Sequence, residues 1–151
     1  MELFTDETIK EYIEYKRANP NNFSWRSYVN IKADIQTALA FAKFYYPEII
    51  EVENYFLLKD NYSEKLLKKW DDECQGDKCS VEKMMNLYEL KDYFHINVNE
   101  DENNSAQIQV LGDILKLFWS MSFKQRFPSR NISVEVYEEW DSLFITVFEA
   151  I

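Results

Sequence analysis

The sequence predicts an α+β fold in which a small antiparallel sheet of three to four strands, including a C-terminal hairpin, packs against about four to five helices. Two patterns support this prediction. Apolar residues recur at helical spacing in several stretches before residue 127, and they alternate with polar residues over 132–137, before a second strand pattern over 142–148. Aromatic residues make up 17% of the chain, which is enough for a core without disulfides or metals. We expect one globular domain over residues 1–151.

The first third of the chain is predicted to hold two helices. The first ends at about Ala18, before Asn19 and Pro20, and residues 23–28 form a connector that contains Trp25. The second covers residues 30–46, where Asn30 is a candidate cap and Pro47 ends the helix. Its apolar stripe consists of Ile31, Ile35, Ala38, Leu39, Ala42 and Tyr46.

The middle of the chain alternates strand and helix signals. Residues 49–58 are rich in β-branched and aromatic side chains and predict a strand. Helices are predicted over about 63–73 and 80–90, each beginning at a serine that can cap it. Residues 90–98 fit either a strand or an irregular connection, and 97–104 are polar and acidic, typical of an exposed loop.

The longest helix is predicted over about 106–126. Apolar residues cover well over half of its circumference, so we expect it to be buried on more than one side. Gly112 lies inside this pattern and costs up to ~1 kcal/mol relative to alanine, which indicates close packing against a neighbour.

The chain ends in a hairpin pattern. Residues 132–137 alternate between apolar and polar side chains, residues 142–148 form a second strand, and 138–141 form the polar turn between them. The second of these strands carries apolar side chains on both faces, so we expect it inside the sheet, with the strand at 50–58 as its other neighbour.

The charge balance narrows the possible partners. There are 27 acidic and 17 basic residues, a formal charge of −10, and the excess lies in the last two thirds. Nucleic acids and anionic membranes favour basic surfaces, so we expect neither as a partner. A basic protein would fit, although solubility alone also explains a net negative charge. Lys124, Arg126 and Arg130 form a local basic patch that either binds an anion or complements the dipole at a helix end.

Glycine, histidine and cysteine are too scarce for several kinds of site. Gly76 and Gly112 cannot build a glycine-rich phosphate loop, and the single His95 cannot build a histidine-rich metal site. Cys74 and Cys79 flank a polar turn, and we expect reduced thiols there, with a small disulfide or a pair of metal ligands as alternatives. No cofactor, metal or catalytic residue is assigned. With no signal peptide pattern and no apolar run of ~18 residues, a cytoplasmic location is expected.

The hairpin turn is the candidate binding site. Trp140 is surrounded in sequence by acidic residues and can anchor a basic protein surface, unless it folds back onto the sheet. The candidate residues are Tyr137, Glu138, Glu139, Trp140 and Asp141. We therefore expect a non-enzymatic, acidic protein-binding protein, for example an inhibitor or immunity-type protein that neutralises a basic partner. The alternative is a small enzyme or ligand-binding domain with a pocket between sheet and helices, served by His95 and nearby carboxylates.

Overall fold

The predicted α+β class is confirmed. A computed structural model describes residues 2–97 and 104–151, without the side chains of residues 95–97. This part of the chain contains six α-helices, which are α1 (Lys10–Ala18), α2 (Trp25–Lys32), α3 (Ile35–Tyr45), α4 (Glu64–Glu73), α5 (Lys78–Met85) and α6 (Asn104–Arg126). Its strands are β1 (Ile49–Val52), β2 (Tyr55–Leu58), β3 (Tyr88–Glu89), β4 (Ile132–Glu139) and β5 (Ser142–Glu149). Short 3-10 helices cover Asp6–Thr8, Lys59–Asn61 and Leu90–Asn97. Most of the predicted acidic loop, residues 98–103, lies outside the described residues.

The predicted helix over 30–46 is wrong, because two helices occupy the segment 25–45. The Ser24 side chain accepts a hydrogen bond from the Ser27 amide and caps α2, so that most of the expected connector is helical. Ala33 is extended, and Asp34 then caps α3 by accepting a hydrogen bond from the Thr37 amide at 2.7 Å. The cap at Asp34 satisfies an amide group that a continuous helix would pair within itself, and this starts the new helix.

Aromatic stacking joins the two N-terminal helices. The rings of Tyr12 in α1 and Trp25 in α2 lie parallel with centroids 3.7 Å apart. Tyr28 packs edge-on against both rings, and its hydroxyl donates to Glu11 at 3.0 Å. Much of the aromatic content predicted for one core therefore packs α1 against α2.

The predicted strand over 49–58 is a two-stranded hairpin. β1 and β2 pair antiparallel, with Val52 opposite Tyr55. Glu53 and Asn54 between them both have positive φ, 52° and 71°, as a two-residue type I′ turn requires. The turn was missed because it contains no glycine or proline, although asparagine tolerates this backbone region better than most residues.

The C-terminal hairpin forms the second sheet, in the order β3-β5-β4. β5 lies between two other strands, as predicted, and residues Ile145 to Phe148 are buried on both faces. Its second neighbour is β3, where Tyr88 pairs with Ile145, and the strand expected there from 50–58 belongs to the other sheet. That expectation is wrong because two-residue β3 follows α5 directly in a segment predicted to be helical.

Two buried polar side chains connect the sheets, one in α5 and one at the residue that caps its C-terminus. Glu82 and Asn86, one helical turn apart, are both fully buried. Glu82 accepts from the backbone amides of Phe56 in β2 (2.7 Å) and Glu149 in β5 (2.6 Å). The Asn86 side chain accepts from Leu58 N and donates to Phe56 O and Val147 O, each at 2.8 Å. These side chains take the place of a strand between β2 and β5. Burial raises the pKa of the Glu82 carboxyl.

The long helix α6 lies across this assembly with one fully buried face. That face carries Gly112, Leu115, Trp119, Ser122 and Phe123. A Cβ atom at Gly112 would lie 2.9 Å from Leu143 Cδ2, so the close packing predicted there is confirmed. Burial on more than one side is wrong, because Phe118 and Met121 are 37% and 59% exposed.

Candidate functional site

The predicted site lies at the apex of the C-terminal hairpin, and we call residues 137–141 the hairpin tip. Glu139 pairs with Ser142, so Trp140 and Asp141 are the two residues of the turn. Both have positive φ, 53° and 59°, which is the type I′ geometry of tight hairpins. This backbone conformation is rare for a bulky side chain and costs on the order of 1–3 kcal/mol at a non-glycine residue.

Trp140 points away from the protein. The residue is 89% exposed, so it does not fold back onto the sheet, and the turn holds the indole at the apex. A large aromatic surface held open in this way is typical of an anchor for another molecule.

The three carboxylates of the hairpin tip form no ion pair with any residue that the structure describes. Glu138, Glu139 and Asp141 are exposed, and within the described residues none of them forms an ion pair with a cation. Glu149 at the other end of β5 is different, because the Arg130 guanidinium binds both its oxygens at 2.8–2.9 Å. The negative charge of the hairpin tip is therefore available to an external cation.

A cleft beside the tip places two of these carboxylates in a defined space. It measures about 260 Å³ and lies between the hairpin and the first turns of α6. Its lining residues are Lys91, Ser105, Ile108, Gln109, Glu138, Asp141, Ser142 and Leu143. Lys91 is paired with Glu89 at 2.8 Å, so Glu138 and Asp141 line the cleft without a cation partner among the described residues.

Tyr137 packs against the sheet at the base of the hairpin tip. Its ring stacks on Phe144 of the paired strand with centroids 5.7 Å apart, and the residue is half-buried. Burial, reinforced by Glu139 and Glu135, raises the pKa of the Tyr137 phenol. Tyr137 is therefore a positioning residue, while Trp140 and the carboxylates form the accessible surface.

The basic patch predicted at 124–130 does not form one site. Arg130 binds Glu149 and Glu51, while Lys124 is exposed. Arg126 donates to Pro47 O at 2.9 Å, lies 4.1 Å over the Tyr46 ring, and has two buried nitrogens, Nε and Nη2, without hydrogen-bond partners. Burial lowers the pKa of the Arg126 guanidinium. Because Arg126 and Arg130 have different partners inside the protein, the three cations do not converge on an anion.

A second surface was missed by the sequence analysis. The apolar stripe of α3, which was expected to behave as an ordinary amphipathic helix face, is left open: α3 contains no buried residue, and Ile35 and Leu39 are 79% and 65% exposed. No signal in the sequence could have shown this, because an apolar stripe looks the same whether its own chain or another molecule covers it.

The thiols and the remaining candidates carry no chemistry that the structure brings together. Cys74 and Cys79 are both free, and burial raises the pKa of the Cys74 thiol, which makes it less reactive. In the described part of the chain, no three Cys, His, Asp or Glu residues are grouped so that they could hold a metal ion. The His95 side chain lies outside the described residues. A space of about 40 Å³ beside Trp119, Tyr88 and Tyr93 has room for roughly one water molecule.

Comparison with known protein families, with curated proteins and with solved structures finds no match to this chain. None of the described helices combines the length and apolar character that crossing a membrane requires.

Proposed function

We propose that this protein binds another protein and neutralises it, in the manner of an inhibitor or immunity protein, and that the hairpin tip contacts a basic surface of that partner. One observation carries the proposal. Trp140 is 89% exposed at a backbone conformation that is unfavourable for tryptophan, beside three carboxylates that pair with no cation among the described residues. Such a turn costs stability in the free protein, so the compensating gain is expected in a complex.

The contacts of such a complex follow from the geometry of the tip. The Trp140 indole supplies apolar area for a pocket on the partner and a ring face for an arginine of the partner. Glu138 and Asp141, which line the 260 Å³ cleft, are placed to receive a lysine or arginine side chain. The net charge of −10 speeds association with a basic partner and disfavours acidic ones.

Affinity capture from the native source tests the proposal. We expect the immobilised wild-type chain to retain one basic protein in a stoichiometric amount, and a variant with Trp140→Ala, Glu138→Lys and Glu139→Lys to lose it. The matched control is Asp72→Lys with Glu73→Lys, an exposed pair in α4 that changes the net charge by the same amount. This control should capture as well as the wild type.

Binding of the captured protein is then measured by calorimetry. Trp140→Ala alone should weaken it by at least ~30-fold, since a central aromatic anchor contributes about 2 kcal/mol or more. Raising the salt from ~50 to ~500 mM should weaken wild-type binding. Equal capture by the wild type and the tip variant would show that the partner binds elsewhere.

A further inference from the structure

Helix α3 is held to the protein along one side only. Its Phe44 ring packs against Tyr93 with centroids 4.6 Å apart, its Tyr45 ring packs against Phe118 at 5.6 Å, and the Trp119 indole donates to Phe44 O at 3.0 Å. On an α-helix, Ile35, Leu39, Ala42 and Tyr46 share a different side, because they follow the spacing i, i+4, i+7 and i+11. That side has no covering element within the described residues, since residues 34–43 are all exposed.

The open side of α3 continues onto its neighbours. A groove of about 840 Å³ between α2 and α3 is lined by Val29, Ile35 and Ala38, among others. One of about 670 Å³ between α3 and α6 is lined by Ala42 and Met121, among others. Ala38 and Ala42 are one helical turn apart, so the two grooves adjoin. We call this surface the α3 face, formed by Val29, Ile35, Ala38, Leu39, Ala42, Tyr46, Phe118 and Met121.

The α3 face is large enough for a stable interface. Its six large side chains are between 37% and 79% exposed. With about 200 Å² for a fully exposed large side chain, they present on the order of 700 Å². The largest apolar patch of a typical monomer is about 300–600 Å², and a stable interface covers about 600–1,000 Å² on each partner, a range that includes the α3 face.

We infer that the α3 face binds a second copy of this chain, so that two α3 helices pack antiparallel about a two-fold axis near residues 38 and 39. This arrangement is self-complementary. Ile35 of one chain lies at the same height as Ala42 of the second copy, so a large side chain meets a small one at both ends of the interface. At the centre, Leu39 of each chain lies level with Ala38 of the second copy, and the two Leu39 residues are offset by only about 1.5 Å along the helix axis.

The charge distribution favours a second copy over a charged partner. Residues 35–42 contain no charged side chain, although the protein as a whole carries −10. Two such chains can approach through this face without placing acidic groups opposite each other at its centre, and antiparallel pairing also aligns the helix dipoles favourably. Closed two-fold dimers are the commonest assemblies of identical chains.

Sedimentation velocity from ~1 to ~500 µM tests the dimer. We expect the wild-type mass to rise toward twice the 18.2 kDa of one chain. Leu39→Glu should stay monomeric, with at least a ~100-fold weaker association. The matched control is Ala40→Glu, which adds the same charge at an exposed position of α3 that lies about 100° around the helix from Leu39, outside the apolar stripe. It should associate like the wild type.

Cross-linking checks the register separately from mass. In a chain with Cys74→Ser and Cys79→Ser, Leu39→Cys should oxidise to a covalent dimer, while Ala40→Cys should remain monomeric. Far-UV circular dichroism establishes that each variant is folded. A wild-type chain that is monomeric throughout the concentration range would overturn the inference, as would equal association of the Leu39→Glu and Ala40→Glu variants. Binding of the α3 face to a different protein by a monomeric chain would likewise overturn it.

Discussion

Glu82 offers the sharpest test of how the two sheets are joined. Its two carboxylate oxygens accept hydrogen bonds from the amides of Phe56 and Glu149, in a position with no solvent exposure. Replacement by alanine leaves both amides buried without acceptors, at about 1–3 kcal/mol each, so Glu82→Ala should lower the free energy of unfolding by roughly 2–6 kcal/mol. Glu82→Gln keeps one acceptor but turns an amide NH₂ toward the other donor, and should lose about 1–3 kcal/mol.

Urea denaturation at neutral pH measures these losses. With a slope near ~2 kcal/mol/M, a loss of 2 kcal/mol moves the midpoint down by about 1 M. Glu14→Gln, at an exposed position of α1, is the matched control and should leave the midpoint within ~0.3 M of the wild type. If Glu82→Gln and Glu14→Gln were equally stable, the amides would be satisfied in another way, and the proposed connection between the sheets would be wrong.

Three further predictions concern stability and pH. Gly112→Val should lower the free energy of unfolding by about 1–3 kcal/mol, because even a Cβ would meet Leu143 at 2.9 Å. Thermal denaturation measures this as a lower midpoint temperature, and an unchanged midpoint would contradict the close packing. Arg130, followed by Lys78, holds the pKa of Glu149 at about 2, below its ordinary 4.5, so Glu149 stabilises the fold above pH 4.5 and loses this contribution as the pH falls toward 2. After allowance for solvent screening the contribution is about 2 kcal/mol, and in acid titrations Arg130→Met should show a smaller loss over this window than the wild type. Trp140→Asn should raise the free energy of unfolding of the free protein by about 0.5–1 kcal/mol in urea denaturation, because asparagine suits the left-handed turn. The same variant should weaken partner binding, because it lacks the indole. A lower free energy of unfolding would show that Trp140 packs within the fold.

The C-terminal hairpin could be predicted because its signals are local. Residues 132–137 alternate in the two-residue period of a strand, residues 143–148 form a short, mostly apolar run, and the polar stretch with Trp140 and Asp141 separates the two at the turn. The position of the hairpin tip could be predicted in the same way, because residues at a tight turn project from a sheet. The exposure of Trp140 could not be predicted, because it depends on the backbone angles of the turn.

The first hairpin and the α3 face could not be predicted for different reasons. Glu53 and Asn54 adopt positive φ without a glycine, and the apolar residues on both sides of them resemble one continuous strand. The helix break at Asp34 has a local signal, because aspartate is a common N-cap, but the longer apolar stripe outweighed it. Tertiary packing decides which element covers that stripe, and the local spacing of apolar residues carries no information about tertiary packing.

The connection through α5 also determines which parts of the protein unfold together. The amides of Phe56, Leu58 and Glu149 donate to side chains of α5 and of its C-terminal cap residue Asn86, over sequence separations of 26, 28 and 67 residues. Undocking of α5 would release all three at once, so their hydrogen exchange should share a single opening free energy. Contacts of this separation also slow folding, because the chain loses loop-closure entropy before they form. Docking of α5 therefore couples the two separate sheets, so that they fold and unfold as one cooperative unit.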